Sequence, residues 1–229
     1  MENIKIISKK EYLKTNKKPN QEIVWDSIAK PWKTYVVKKI PIVEEFLKDK
    51  SGLIIDLGCG TGRNMIPNEK ITYYGVDFSK GQLEQAKKYI KKNKVNCKLF
   101  ESKLNKLPEE FKNNTFDYGL FMASLHCIES EEERILALKE LYRVLKPNSQ
   151  ALISVWNSED KRFSHIKNKG DIYMSWKENN IPHMRHYYLY KKEEIINLLK
   201  SAGFKILKLY EAREKDRFSK KNWIIKVQK

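Results

Sequence analysis

An apolar run that ends in an acid and a glycine-rich turn, Ile54-Ile55-Asp56-Leu57-Gly58-Cys59-Gly60-Thr61-Gly62, is the stretch best suited to hold a ligand. Glycines there let the backbone approach a bound molecule and take φ > 0, conformations that a Cβ would penalise. A second acid, Asp77, ends the apolar run Tyr73-Tyr74-Gly75-Val76 and could accept hydrogen bonds from both hydroxyls of a ribose. The spacing is G-x-G-x-G, not the G-x-G-x-x-G that seats a dinucleotide's phosphates on a helix N-terminus. Phe78 could lie near a bound base, although an aromatic there serves a core as readily. A second set of reactive types comes later. Arg185 carries a planar fork that binds carboxylates bidentately, against the alternative of a surface ion pair. His126 follows the run Phe116–Met122, where it could hydrogen-bond a substrate or sit buried and satisfied. Cys59, Cys97 and Cys127 form no C-x-x-C pair, so neither a disulfide framework nor a metal site is expected.

These residues must be positioned by a recurring pattern. Leu53–Leu57, Thr72–Asp77, Val95–Phe100, Phe116–Met122 and Ala151–Trp156 read as strands, and Ser79–Lys92 and Glu131–Leu145 as amphipathic helices between them. Alternation of this kind predicts an α/β fold with a mostly parallel sheet covered on both faces. Gln21–Ala29 and Val36–Lys50 read as helices ahead of it, with Pro41 marking a start or kink. Lys191–Ala202 reads as a helix stopped by Gly203, and Phe204–Tyr210 and Trp223–Val227 as two closing strands. The polar stretch 157–184 breaks the rhythm, which suggests an insertion over the site rim, a candidate substrate lid spanning about 157–190. Residues 1–20 read as a basic, mobile arm and 21–229 as one catalytic domain.

The 229 residues are 41% hydrophobic, enough for one full core. Their net charge of +17 is unevenly spread: the basic excess is +5 in residues 1–50, +3 in 51–150 and +9 in 151–229. Flanks of that kind attract phosphates, or form a merely solvated lysine-rich surface. No apolar stretch is long enough to span a membrane and the start of the chain is charged, so a cytoplasmic protein is expected.

The acid-strand-glycine motif with Asp77 resembles motif I and the following acid of the Rossmann-like S-adenosylmethionine methyltransferases. Phe116-Asp117-Tyr118 and Leu145-Lys146-Pro147 are further landmarks of that family. The resemblance implies a seven-stranded sheet with helices on both faces and an antiparallel last strand. It implies S-adenosylmethionine as cofactor, held by Asp56, Gly58, Cys59, Gly60, Gly62, Asp77, Phe78, Ser102 and Met122. Lys103 stands where many relatives carry the Asp that receives the adenine amino group; a cation cannot accept that bond, so Glu101, Ser102 or backbone must.

Trp25–Ala29, Pro41-Ile42-Val43, Ser124-Leu125-His126, Val155-Trp156, Arg185-His186-Tyr187-Tyr188-Leu189-Tyr190, Asp216-Arg217 and Asn222-Trp223, in that order, resemble the tRNA wobble-uridine carboxymethyl methyltransferases. The match at Arg185 is partial, with His186 where relatives carry Tyr and Tyr188 where they carry His. The resemblance implies a tRNA anticodon loop as partner and, for several relatives, a small zinc-containing activator protein. The reaction implied is methyl transfer to the carboxylate of 5-carboxymethyluridine. A carboxylate is ionised at neutral pH and needs no general base, which suits a chain with four histidines and no Asp/His pair near the loop. Arg185 would orient the carboxylate, His126 would hydrogen-bond the substrate, and Trp156 and Tyr187 would stack on the uracil, unless they serve the core. A small-molecule methyltransferase and a non-catalytic cofactor- and RNA-binding protein are the alternatives.

Overall fold

The computed structural model describes residues 4–35, 40–167, 169–178, 181–212 and 221–229. In chain order they form β1 (Ile6–Ser8), α1 (Lys9–Tyr12), α2 (Gln21–Tyr35), α3 (Pro41–Leu47), β2 (Gly52–Leu57), β3 (Ile71–Asp77), α4 (Lys80–Asn93), β4 (Cys97–Glu101) and β5 (Phe116–Met122). Then follow α5 (Glu131–Val144), β6 (Leu145–Trp156), β7 (Asp171–Glu178), β8 (Ile181–Tyr188), α6 (Lys192–Ser201), β9 (Lys205–Glu211) and β10 (Asn222–Gln228).

The apolar runs without alternation become strands buried on both faces: Ile54, Ile55, Asp56 and Leu57 in β2 are all inaccessible. Seven strands pair in the order β4-β3-β2-β5-β6-β10-β9. All run parallel except β10, which lies antiparallel between β6 and β9. Strand order reverses between β2 and β5, so the crevice at their C-terminal ends is where a doubly wound sheet binds its ligand. The seven-stranded Rossmann-like sheet that the resemblance implies is thus present, and the helices after β3 and β5 are capped by serines. Ser79 and Ser130 accept from the third residue of α4 and α5 respectively.

A second, three-stranded antiparallel sheet of β1, β7 and β8 stands apart from the first. The stretch expected as an insertion therefore contains a strand hairpin. Part of the expected arm completes it: Ile6 pairs opposite Met174, and Tyr12 of α1 packs on Tyr173 with ring centroids 4.9 Å apart. No local pattern announces a strand of three residues whose partner lies near the other end of the chain. Helix α2 also runs beyond Ala29, through Pro31, to Tyr35, while α3 begins at Pro41; Val36 itself lies outside the described residues. Strand β6 starts at Leu145, because that residue already has extended backbone angles.

Candidate functional site

Backbone geometry builds the floor of the site. Gly58, Gly60 and Gly62 all have positive φ, at 66°, 52° and 82°. A Cβ on Gly58 would stand 2.3 Å from Ser124 Cβ, whereas the nearest atom to one on Gly60 would be Gln82 Oε1 at 3.7 Å. The first glycine is thus needed for packing and the second leaves a cradle open. The Gly60 N–H donates to Asp77 Oδ2 (2.8 Å) and the Ser79 N–H to Asp77 Oδ1 (3.0 Å), which fixes the carboxylate at the tip of β3. Gln82, buried on the first turn of α4, has an Oε1 with no hydrogen-bond partner.

The cavity over this floor measures about 340 Å³. Gly58, Cys59, Gly60, Asp77, Phe78 and Met122 line it, as do Gln82, Leu104, Asn105, Trp25 and Trp32. Asp56 and Gly62 lie outside the lining, and so does Ser102, whose hydroxyl donates to Lys103 O and Lys106 O. The open cradle, the orphaned Gln82 oxygen and the two Asp77 acceptors fit the ribose and neighbouring groups of S-adenosylmethionine. Asp77, Gln82 and the loop backbone would hold it.

Burial dominates the electrostatics. It raises the Asp77 carboxyl to about 6 against the two backbone hydrogen bonds, and it raises Asp56 to about 8 with the Asp77 charge adding to the effect. The Arg63 guanidinium, at the cavity wall, is lowered to about 10 by burial. His126 falls to about 3, through burial first and then the charges of Arg162 and His186, so the imidazole is neutral at physiological pH.

Arg185, His126, Trp156 and Tyr187 come together, but beside the cavity rather than in its lining. Trp156 and Tyr187 stack with centroids 4.0 Å apart, and His126 stacks on Trp156 at 5.0 Å with its Nδ1 buried and unpartnered. The Arg185 guanidinium lies 5.2 Å from the Trp32 ring, 5.3 Å from Trp176 and 5.4 Å from Tyr187. Arg185 is 3% exposed, donates to Ser175 O, leaves its Nε unpartnered and has no ion pair among the described residues. Trp25 and Trp32, which do line the cavity, form the partition: Trp25 meets Tyr187 edge-on at 6.3 Å and Trp32 at 5.4 Å. Trp223 packs beneath, its indole N–H donating to Tyr190 O. Asp216 and Arg217 lie outside the described residues.

Helix α2 ties both halves together. Asp26 accepts from the Ser79 hydroxyl and from the Gly81 N–H, so it caps α4 from outside. A Cβ at Gly81 would come within 3.0 Å of Ala29 and of the Asp26 carbonyl, which explains the glycine at this crossing. One turn away, Gln21 accepts from the His186 N–H (2.8 Å) and donates to Met184 O (3.1 Å), as a strand neighbour of β8 would. His186 Nε2 in turn lies 2.6 Å from Asp171 Oδ1, securing β8 to the start of β7. Gln21, Asp26 and Gln82 carried no signal as single residues. Trp25 was legible only as part of the family pattern.

Comparison with known proteins agrees with this arrangement. Residues 54–148 match the family described as a methyltransferase domain. The chain is 28% identical over 211 residues to a tRNA (carboxymethyluridine(34)-5-O)-methyltransferase of Schizosaccharomyces pombe, covering 80% of this chain and 88% of that one. It is 32% identical over 158 residues to the protein of the same name in Saccharomyces cerevisiae, covering 67% of this chain but only 54% of the relative. A SAM-dependent methyltransferase structure from Methanosarcina mazei superposes with a TM-score of 0.66 at 20% identity, over 84% of this chain and 99% of that one. With a glycine cradle, an acid at the tip of β3 and this sheet order in one place, the chain carries a methyltransferase domain on the Rossmann-like fold of the S-adenosylmethionine-dependent methyltransferases, and it is similar to the tRNA carboxymethyluridine methyltransferases.

Proposed function

We propose that the protein esterifies the carboxylate of 5-carboxymethyluridine at the wobble position of a tRNA. The observation that carries this reading is Arg185, a buried cation with no acidic partner among the described residues, set in an aromatic nest one layer behind the cofactor cavity. A buried charge is normally paired, and cation–π contacts offset only part of its desolvation. An anion delivered by the substrate supplies the missing partner.

The bound cofactor supplies an electrophilic methyl group on a sulfonium. Transfer of that methyl group to a carboxylate oxygen would leave a neutral ester and a neutral thioether, with no proton for the protein to move. The protein's task is then to hold a weak nucleophile in line. Arg185 binds one carboxylate oxygen, and Trp156 and Tyr187, stacked on each other with His126 on Trp156, wall the nest that holds it. His126, uncharged, serves as a hydrogen-bond partner and not as a base. The names of the yeast relatives support the same substrate.

A small-molecule substrate is the second reading, favoured by three carboxylates in the cavity lining, Glu22, Glu129 and Glu133, which weigh against a phosphate entering there. A non-catalytic role is the third. Incubating the protein and labelled cofactor with tRNA bearing carboxymethyluridine, followed by nucleoside mass spectrometry, separates them. A methyl ester on that nucleoside is expected; no transfer to any tRNA, with or without a small zinc-containing activator protein, removes the proposal.

A further inference from the structure

The loop after β4 lacks the usual acid, yet it brings an acceptor of a different kind to the cavity wall. Lys103, where many relatives place an Asp, is exposed, and the Ser102 hydroxyl is committed to carbonyls of its own loop. Two residues further on, Asn105 lines the cavity and donates through Nδ2 to Glu133 Oε1 (3.3 Å), another lining residue from the first turn of α5. A carboxylate can only accept, so Glu133 obliges the Asn105 amide to turn its NH₂ toward α5. The opposite end of the amide, Oδ1, makes no hydrogen bond among the described residues. The N–H groups of Leu104 and Asn105 likewise have no backbone partner there.

We infer that Asn105, locked in one amide orientation by Glu133, receives the exocyclic amino group of the cofactor's adenine and makes the site selective for adenine. An amide unlocked from Glu133 would flip and present NH₂ to a carbonyl in place of the amino group. Glu133 is therefore a positioning residue: it sets which base edge Asn105 can read. The inference depends on the cofactor class alone and stands or falls separately from the tRNA reading.

The test compares the affinities of the unmodified protein and two variants for S-adenosylhomocysteine and S-inosylhomocysteine by calorimetry. The inosyl compound carries a carbonyl where adenine has its amino group. The unmodified protein should prefer the adenosyl compound by at least about 10-fold, the scale of one hydrogen bond exchanged for an unpaired or repulsive contact. Asn105→Ala should weaken adenosyl binding by about 10-fold and leave inosyl binding nearly unchanged, so the preference collapses. Glu133→Ala should do the reverse, leaving adenosyl affinity in place and tightening the inosyl compound as the amide becomes free to flip. Because each result is a ratio measured on one protein sample, partial loss of folding cancels. An unchanged ratio in Asn105→Ala overturns the inference. So does Glu133→Ala if it weakens adenosyl binding, since the carboxylate would then be the acceptor itself.

Discussion

The Gly60 N–H donates to Asp77 Oδ2 across 2.8 Å, so the residue that would cradle the cofactor also aims the carboxylate that would meet its ribose. Asp77→Ala removes both the ribose acceptor and this tether. Cofactor binding should weaken by about 1.5–3 kcal/mol, the value of hydrogen bonds to a charged group, as read by calorimetry with S-adenosylhomocysteine. An unchanged dissociation constant would show that Asp77 touches no ligand. The same carboxyl, raised to about 6 by burial, must be ionised to accept two hydroxyls. Affinity should therefore be level above that pH and decline below it, and the decline should vanish in the variant.

Gly60→Val should abolish cofactor binding. At φ 52° a β-branched residue is strained, and its side chain would stand in the open cradle. The seven-stranded sheet should survive, so far-ultraviolet circular dichroism should be near that of the unmodified protein while equilibrium dialysis shows no retained ligand. Retained binding would mean that the cradle does not hold the cofactor.

Arg185→Ala should depress methyl transfer to carboxymethyluridine tRNA by about 10²-fold while leaving cofactor affinity nearly intact, since a reacting group misplaced by about 1 Å loses rate on that scale. Lys at 185 should rescue poorly, because a point charge on a flexible stem does not reproduce a planar fork. With a carboxylate nucleophile and a neutral His126, the single-turnover rate should be flat from about pH 6 to 8. A steep rise would signal base-assisted attack by another type of nucleophile.

Affinity for tRNA should fall steeply as salt is raised, since lysines from both flanks displace counterions. The structure sharpens which ones to change. Deleting residues 1–18 would also remove β1 and the packing of Tyr12 on Tyr173, so exposed Lys10 and Lys17 are better replaced by Gln. The slope of log affinity against log salt should shrink by about 0.9 for each phosphate that a lysine no longer neutralises. Binding indifferent to salt would end the polyanion argument.

The large sheet and the glycine loop were legible because their signals are contiguous: Ile54 to Gly62 is strand, turn and ligand floor in one run. Asp77 was legible for the same reason, as the acid that ends a strand. What stayed hidden depends on pairs far apart in sequence. Ile6–Ser8 is too short to show alternation, and its partner strand begins at Asp171. Gln21 on the edge of β8 and Asn105 against Glu133 are ordinary polar residues until the fold brings them together. Arg185, His126, Trp156 and Tyr187 were singled out as a group, and they do form one cluster. No spacing or composition along the chain signals that Trp25 and Trp32 stand between that cluster and the cavity.

Helix α2 holds the cap of α4 with Asp26 and the edge of β8 with Gln21, so one helix is anchored both beside the proposed cofactor cradle and beside the strand that carries Arg185. Coupling free energies are symmetric: if an occupied ribose site makes it easier for β8 to receive a nucleoside, the nucleoside must strengthen the grip on the ribose by an equal factor. Once its methyl group has gone, the spent cofactor would be held hardest while the finished tRNA is still docked. The order in which products leave would then be written into about a turn and a half of helix, between residues 21 and 26.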